Sequence, residues 1–98
     1  MSQTEHRFQF TPEVDLQEAE ATLRLSLLAA EGLYGEARVR TDVSYSVEPL
    51  RSAIRVEGAA PVADSVAQIY TSLLSHEFGR RAFTVRRSPA GEPAASAA

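Results

Sequence analysis

Cysteine is absent from the chain, which excludes a disulfide framework and any thiolate-held metal site and leaves stability to packing and hydrogen bonding. Lysine is absent as well: all ten basic residues are arginine. Arginine presents a planar fork of donors where lysine presents a point charge, so ten forks suit specific recognition of carboxylate or phosphate. An all-arginine, alanine-rich composition equally follows from the coding bias of a G+C-rich genome. No uninterrupted apolar run approaches the ~20 residues that span a bilayer, and the polar residues 1–6 are followed by no apolar signal core. A cytoplasmic protein with no membrane partner is the resulting expectation. Positive charge is in deficit too, since ten arginines against thirteen acidic residues give a net charge of −3, and a field of that sign opposes generic nucleic-acid binding.

What is present suffices for one core. Ninety-eight residues, 44% hydrophobic and 23% charged, have the composition of an ordinary globular domain. A chain of that length buries only about two thirds of its unfolded surface. Residues 7–11 alternate, Phe8 and Phe10 against Arg7, Gln9 and Thr11, as a half-buried strand does. Pro12 ends that run, and Asp15 with Glu18 three residues later reads as a capping box opening a helix that continues to about residue 32. Leu16, Ala19, Leu23, Leu27, Ala30 and Tyr34 share its inner face at about 100° per residue, and Gly32 and Gly35 can close it in a left-handed conformation. Alternation returns over residues 37–47, with Val39, Thr41, Val43, Tyr45 and Val47 on one side and Arg38, Arg40, Asp42, Ser44 and Ser46 on the other; this reads as a long second strand. A turn over residues 48–52 leads into a third strand, residues 53–57, with Ile54 and Val56 inward. Gly58 breaks that strand, and Pro61 suits the first turn of a second helix ending near Gly79. Its stripe is Val62, Val66, Ile69 and Leu73, flanked by Tyr70, and a fourth strand alternates Phe83 and Val85 with Thr84 and Arg86. These boundaries divide the chain into a flexible N-terminus (1–6), a single domain (7–87) and a tail of small residues and prolines (88–98) expected to be disordered.

The order strand, helix, hairpin, helix, strand resembles the ferredoxin-like superfold over residues 7–87. That resemblance implies an α+β domain of βαββαβ order, with two helices packed on one face of a four-stranded antiparallel sheet. It implies no chemistry, because the superfold hosts many unrelated functions.

Two surfaces stand out on that scheme. The open sheet face would present Arg38, Arg40, Arg55 and Arg86 among Arg7, Gln9 and Thr84, a docking face for RNA, phosphate or an acidic partner, or else an ordinary solvated face. RNA-binding domains of this superfold stack bases on aromatics of that face, whereas here the outward positions are Arg, Gln, Ser and Thr, which argues against nucleic acid as the partner. The first helix carries Leu25 and Leu28, with Ala21 and Ala29, on the side away from Leu23 and Leu27, and the second repeats the pattern with Ala63, Ala67, Leu74 and Phe78. Such secondary stripes suit a homo-oligomer, a protein partner or a helix–helix seam.

Catalytic signals are few. His6 and His76 lie seventy residues apart with no metal-ligand spacing, and the charge of His76 suits a helix C-terminus. None of Ser26, Ser44, Ser46, Ser65, Ser72 and Ser75 sits in a Gly-x-Ser-x-Gly turn, and the glycines of residues 31–36 and 56–58 match no phosphate-cradling loop. No cofactor is expected. The sequence therefore points to a non-enzymatic interaction module or small subunit of a larger bacterial-type assembly. It would bind a protein partner or a second copy through Arg38, Arg40, Arg55 and Arg86 of the sheet or Leu25, Leu28, Leu74 and Phe78 of the helices. The competing expectation is a small anionic-ligand-binding or catalytic domain.

Overall fold

Alternation of apolar and polar side chains builds the first strand, and it starts earlier than residue 7. The computed structural model describes residues 3–89, and β1 (Gln3–Phe10) already buries Thr4 and His6 in phase with Phe8 and Phe10. His6 is thus a core-facing residue and not part of a flexible terminus. The Asp15 carboxylate accepts from the Gln17 N–H at 2.9 Å to cap α1 (Leu16–Tyr34), satisfying one of the donors a helix start leaves unpaired. Gly35 ends that helix at φ 90°, a conformation a side chain would resist.

Beyond Gly35 the chain does not form the long strand expected over residues 37–47. Residues Glu36–Asp42 are a short helix, α2, and only Val43–Glu48 form β2. The charges are compatible with either conformation, because two steps of a period-2 pattern equal one helical i,i+4 step. Arg40 pairs with Glu36 at 2.7 Å and Arg38 with Asp42 at 3.5 Å along the helix. Val39 and Val43 are buried as the alternation required, whereas Thr41 is exposed. Among the described residues there are accordingly three α-helices where two were expected.

A 3-10 turn, Pro49–Arg51, and Ser52 in the left-handed region (φ 51°) close the hairpin into β3 (Ala53–Ala59). Gly58 lies at the end of the β2–β3 pairing opposite Val43, the first residue of β2, where a Cβ would fall 1.9 Å from the Asp42 carbonyl oxygen. The missing side chain lets the end of α2 press onto the sheet. Helix α3 (Val62–Phe78) follows Pro61, and a 3-10 turn, Arg80–Ala82, leads into β4 (Phe83–Pro89). Ser88 and Pro89, expected in the tail, pair with Glu5 and Thr4 in the sheet; residues 90–98 of that tail lie outside the described residues.

All four strands are antiparallel in the order β2-β3-β1-β4. The inner sheet residues Phe8, Phe10, Ile54, Val56 and Phe83 join Ala19, Leu23 and Ala30 of α1 and Val62, Val66, Ala67, Tyr70 and Leu74 of α3 in one core. The rings of Phe8 and Tyr70 stand 4.7 Å apart, tilted by 58°, a pairing worth about 0.5–1.5 kcal/mol beyond the area it buries. The buried face of α3 is rotated from the expected stripe towards Ala63, Ala67, Tyr70 and Leu74, with Ile69 only half-buried. The rotation serves the seam with α1, where the Tyr70 hydroxyl donates to the Ala19 carbonyl at 2.6 Å and the Thr22 hydroxyl reaches Glu77. Among the described residues no helix is long and apolar enough to cross a membrane.

Candidate functional site

Strand register fixes what the open sheet face displays. Arg55 of β3, Arg7 of β1 and Arg86 of β4 are direct neighbours in one row across the sheet. Three adjacent cations would repel one another, but acidic side chains of the same face intervene. Glu48 lies 2.8 Å from Arg7 and 3.2 Å from Arg55, and Glu5 lies 3.7 Å from Arg55. Glu48 Oε1 and Arg55 Nε are buried at these ion-pair distances without a well-aligned hydrogen bond, so the attraction is charge on charge. Such lacing leaves little free positive charge for an acidic partner. Arg86 is the exception: it is exposed and has no ion pair among the described residues.

The four arginines expected on this face are thus split. Arg55 and Arg86 lie there, whereas Arg38 and Arg40 ride on α2, with Arg38 held 5.3 Å above the Tyr34 ring and paired to Asp42. The helix-borne candidates divide as well. Leu74 is fully buried and Phe78 is partly buried against the core, so neither presents a free apolar surface. Leu25 and Leu28 are 59% and 61% exposed. At about 100° per residue they share with Ala21, Ala29 and Gly32 a stripe roughly opposite the buried Ala19, Leu23 and Ala30, directed away from the sheet.

Beside that stripe runs a groove of about 450 Å³, walled by Leu27, Leu28 and Glu31 of α1, Val39 of α2 and Val43 and Tyr45 of the edge strand β2. Its polar rim includes Arg24 and Arg40. Arg24 also pairs with Glu20 one turn earlier at 3.2 Å, and Glu20 accepts from the Tyr45 hydroxyl at 2.8 Å. These contacts leave Glu31 without an ion pair among the described residues.

A second groove, about 700 Å³, opens at the other edge of the sheet between α3 and β4. His6 forms its floor with the imidazole Nε2 3.5 Å from Asp64, which also accepts from the Thr4 hydroxyl and from Arg87 at 3.2 Å each. Its Nδ1 is buried without a hydrogen-bond partner. Burial pushes the His6 pKa below its ordinary value, Asp64 opposes that and Arg87 adds to it, so the ring is neutral near pH 7. This cluster was invisible to a reading that began β1 at residue 7. The available signal was phase, because Thr4 and His6 continue the alternation of Phe8 and Phe10.

No protein-family model and no curated protein matches this chain. A similar solved structure is the solution NMR structure of a de novo designed protein with a ferredoxin fold, 16% identical, aligned over 94% of this chain and 88% of that one with a TM-score of 0.55. The likeness shows an α+β ferredoxin fold and, at that identity, nothing of function.

Proposed function

We propose that this chain is a non-enzymatic protein-interaction module, or a small subunit of a larger assembly, which binds through the outward face of α1. The supporting observation is the exposure of Leu25 and Leu28 on a helix whose opposite face is well buried. Fully burying a leucine is worth about 1.5–3 kcal/mol, so at their present exposure the two leave roughly 2–3 kcal/mol unrealised in the isolated chain. The competing sheet face offers Arg7 and Arg55, whose charge is already met within the face, and a single exposed Arg86, and exposed ion pairs contribute only about 0–1 kcal/mol each. Apolar burial is therefore the larger available driving force.

A photoreactive amino acid replacing Leu28 in the producing cell should form protein crosslinks, and the same probe replacing the outward-facing Thr84 should not. Crosslinks from position 84 alone would move the interface to the sheet. Crosslinks from neither would remove the interaction reading altogether.

A specific observation supports one other reading, a site for a small anion: Arg87 and His6 converge on the second groove. Asp64 weighs against it, because an incoming anion would have to displace a carboxylate already held by Arg87. Phosphate or citrate should thus give no rise in the melting midpoint; a rise that Arg87→Ala abolishes would favour the anion site, since a ligand binding only the folded state must stabilise it.

A further inference from the structure

We infer that the partner on the outward face of α1 is a second copy of this chain, docked as an antiparallel, two-fold symmetric helix pair. This rests on the proposal that α1 is the binding face and goes beyond it by naming the occupant. A closed dimer needs a patch that is complementary to itself. On α1, Ala21, Leu25, Leu28, Ala29 and Gly32 are exposed and span an arc of about 100°. The small residues at 21, 29 and 32 allow two helix backbones to approach, while the leucines supply the apolar area.

Charge selects the direction. Arg24 and Glu31 are two turns apart on one flank of the stripe and both rim the 450 Å³ groove. A two-fold axis perpendicular to α1 reverses the helix direction and keeps that flank on the same side in both copies. Arg24 of one copy then faces Glu31 of the other, and the contact occurs twice. The midpoint between Arg24 and Glu31 falls within about 1.5 Å, one residue, of the midpoint between Leu25 and Leu28. A single axis therefore centres the leucines on one another and closes both ion pairs. In this arrangement the acidic first turns, which carry Glu18, end up roughly 30 Å apart, several Debye lengths in physiological salt. A parallel pair would place those first turns together and put the Arg24–Glu31 flanks on opposite sides. The i,i+4 pair of Arg24 with Glu20 does not compete strongly, since Arg24 is 64% exposed in it and such a pair is weak.

The helix is 19 residues long, about 28 Å, so the interface sits near the lower size limit of specific association and a dissociation constant of ~1–100 μM is expected.

Sedimentation velocity on the full chain, from ~1 μM to ~1 mM to bracket that constant, should show a concentration-dependent rise towards twice the 10.6 kDa chain mass. Leu28→Glu should abolish the rise, with circular dichroism unchanged because the side chain is exposed. Arg24→Glu and Glu31→Arg should each weaken the dimer about tenfold, since each places two like-charged pairs at the interface. An equimolar mixture of these two variants should restore dimerisation as a heterodimer, because both of its pairs are again opposite in charge. Sedimentation as a monomer throughout the range would overturn self-association, while crosslinks from position 28 to another protein would leave the α1 interaction reading standing. A dimer that survives Leu28→Glu would overturn the site. Failure of the mixture to recover would overturn the antiparallel pairing.

Discussion

A histidine ring turned into the core couples this fold to pH. His6 is 6% exposed, and the groups around it are Thr4 on its own strand, Asp64 of α3 and Arg87 of β4. Burial holds its pKa below 6.5 in the folded chain, the neighbouring cation adds to that, and Asp64 compensates only in part. On acidification the unfolded chain takes up the proton first, so stability falls as the pH drops through 6.5 towards the lower folded value and is fully retained above 6.5. The opposite dependence would hold only if Asp64 outweighed burial. Urea unfolding between about pH 5 and 7 should therefore show a steeper loss of stability on acidification for the native chain than for His6→Asn and His6→Phe, which cannot take up that proton. The slope is the informative quantity, since either substitution also changes packing. An unchanged slope in both variants would mean that His6 does not titrate across unfolding.

Gly58 governs how the elements meet at the α2–β2 corner. Its absent Cβ leaves room for the Asp42 carbonyl, which a methyl group would approach to 1.9 Å. The obstacle is backbone and cannot rotate aside. Gly58→Ala should cost about 1–3 kcal/mol, as overpacking a filled site does, with amide shifts concentrated at Asp42 and Val43 and the β1–β4 pairing undisturbed. A stability loss below ~0.5 kcal/mol would show that the corner can yield. The corner also marks where sequence periodicity stopped being informative. The inner face of α1, Phe8 and Phe10 of β1, and Ile54 and Val56 of β3 were all legible, because each depends on one unambiguous period. The segment from Glu36 to Asp42 was not, because charges at every second position satisfy both a strand and a helix. Tertiary packing decided between them, through Gly35 and Gly58. The same limitation moved Arg38 and Arg40 off the sheet. Leu74 was misjudged differently: α3 faces α1 as well as the sheet, so its buried arc is wider than one stripe.

At the scale of the whole molecule, dimerisation would make stability depend on protein concentration. If only folded chains pair, each tenfold increase in concentration above the dissociation constant adds about 1.4 kcal/mol per dimer, or ~0.7 kcal/mol per chain. For a domain of this size, 1 kcal/mol moves the melting midpoint by about 4–8 °C, so a rise of roughly 3–5 °C per tenfold is expected. Leu28→Glu should flatten that dependence and converge with the native chain at low concentration, because the exposed leucine supports little within the monomer. Net charge opposes pairing, since each copy carries −3. At physiological ionic strength the Debye length is only about 8 Å, however, so that long-range repulsion is already screened and the short Arg24–Glu31 contacts respond most to added salt. Raising the salt should thus shorten the concentration-dependent rise without abolishing it, leaving the apolar share carried by Leu25 and Leu28. A midpoint independent of concentration at every salt level would mean that the folded chain gains nothing from a second copy, and the leucines of α1 would then await a different protein.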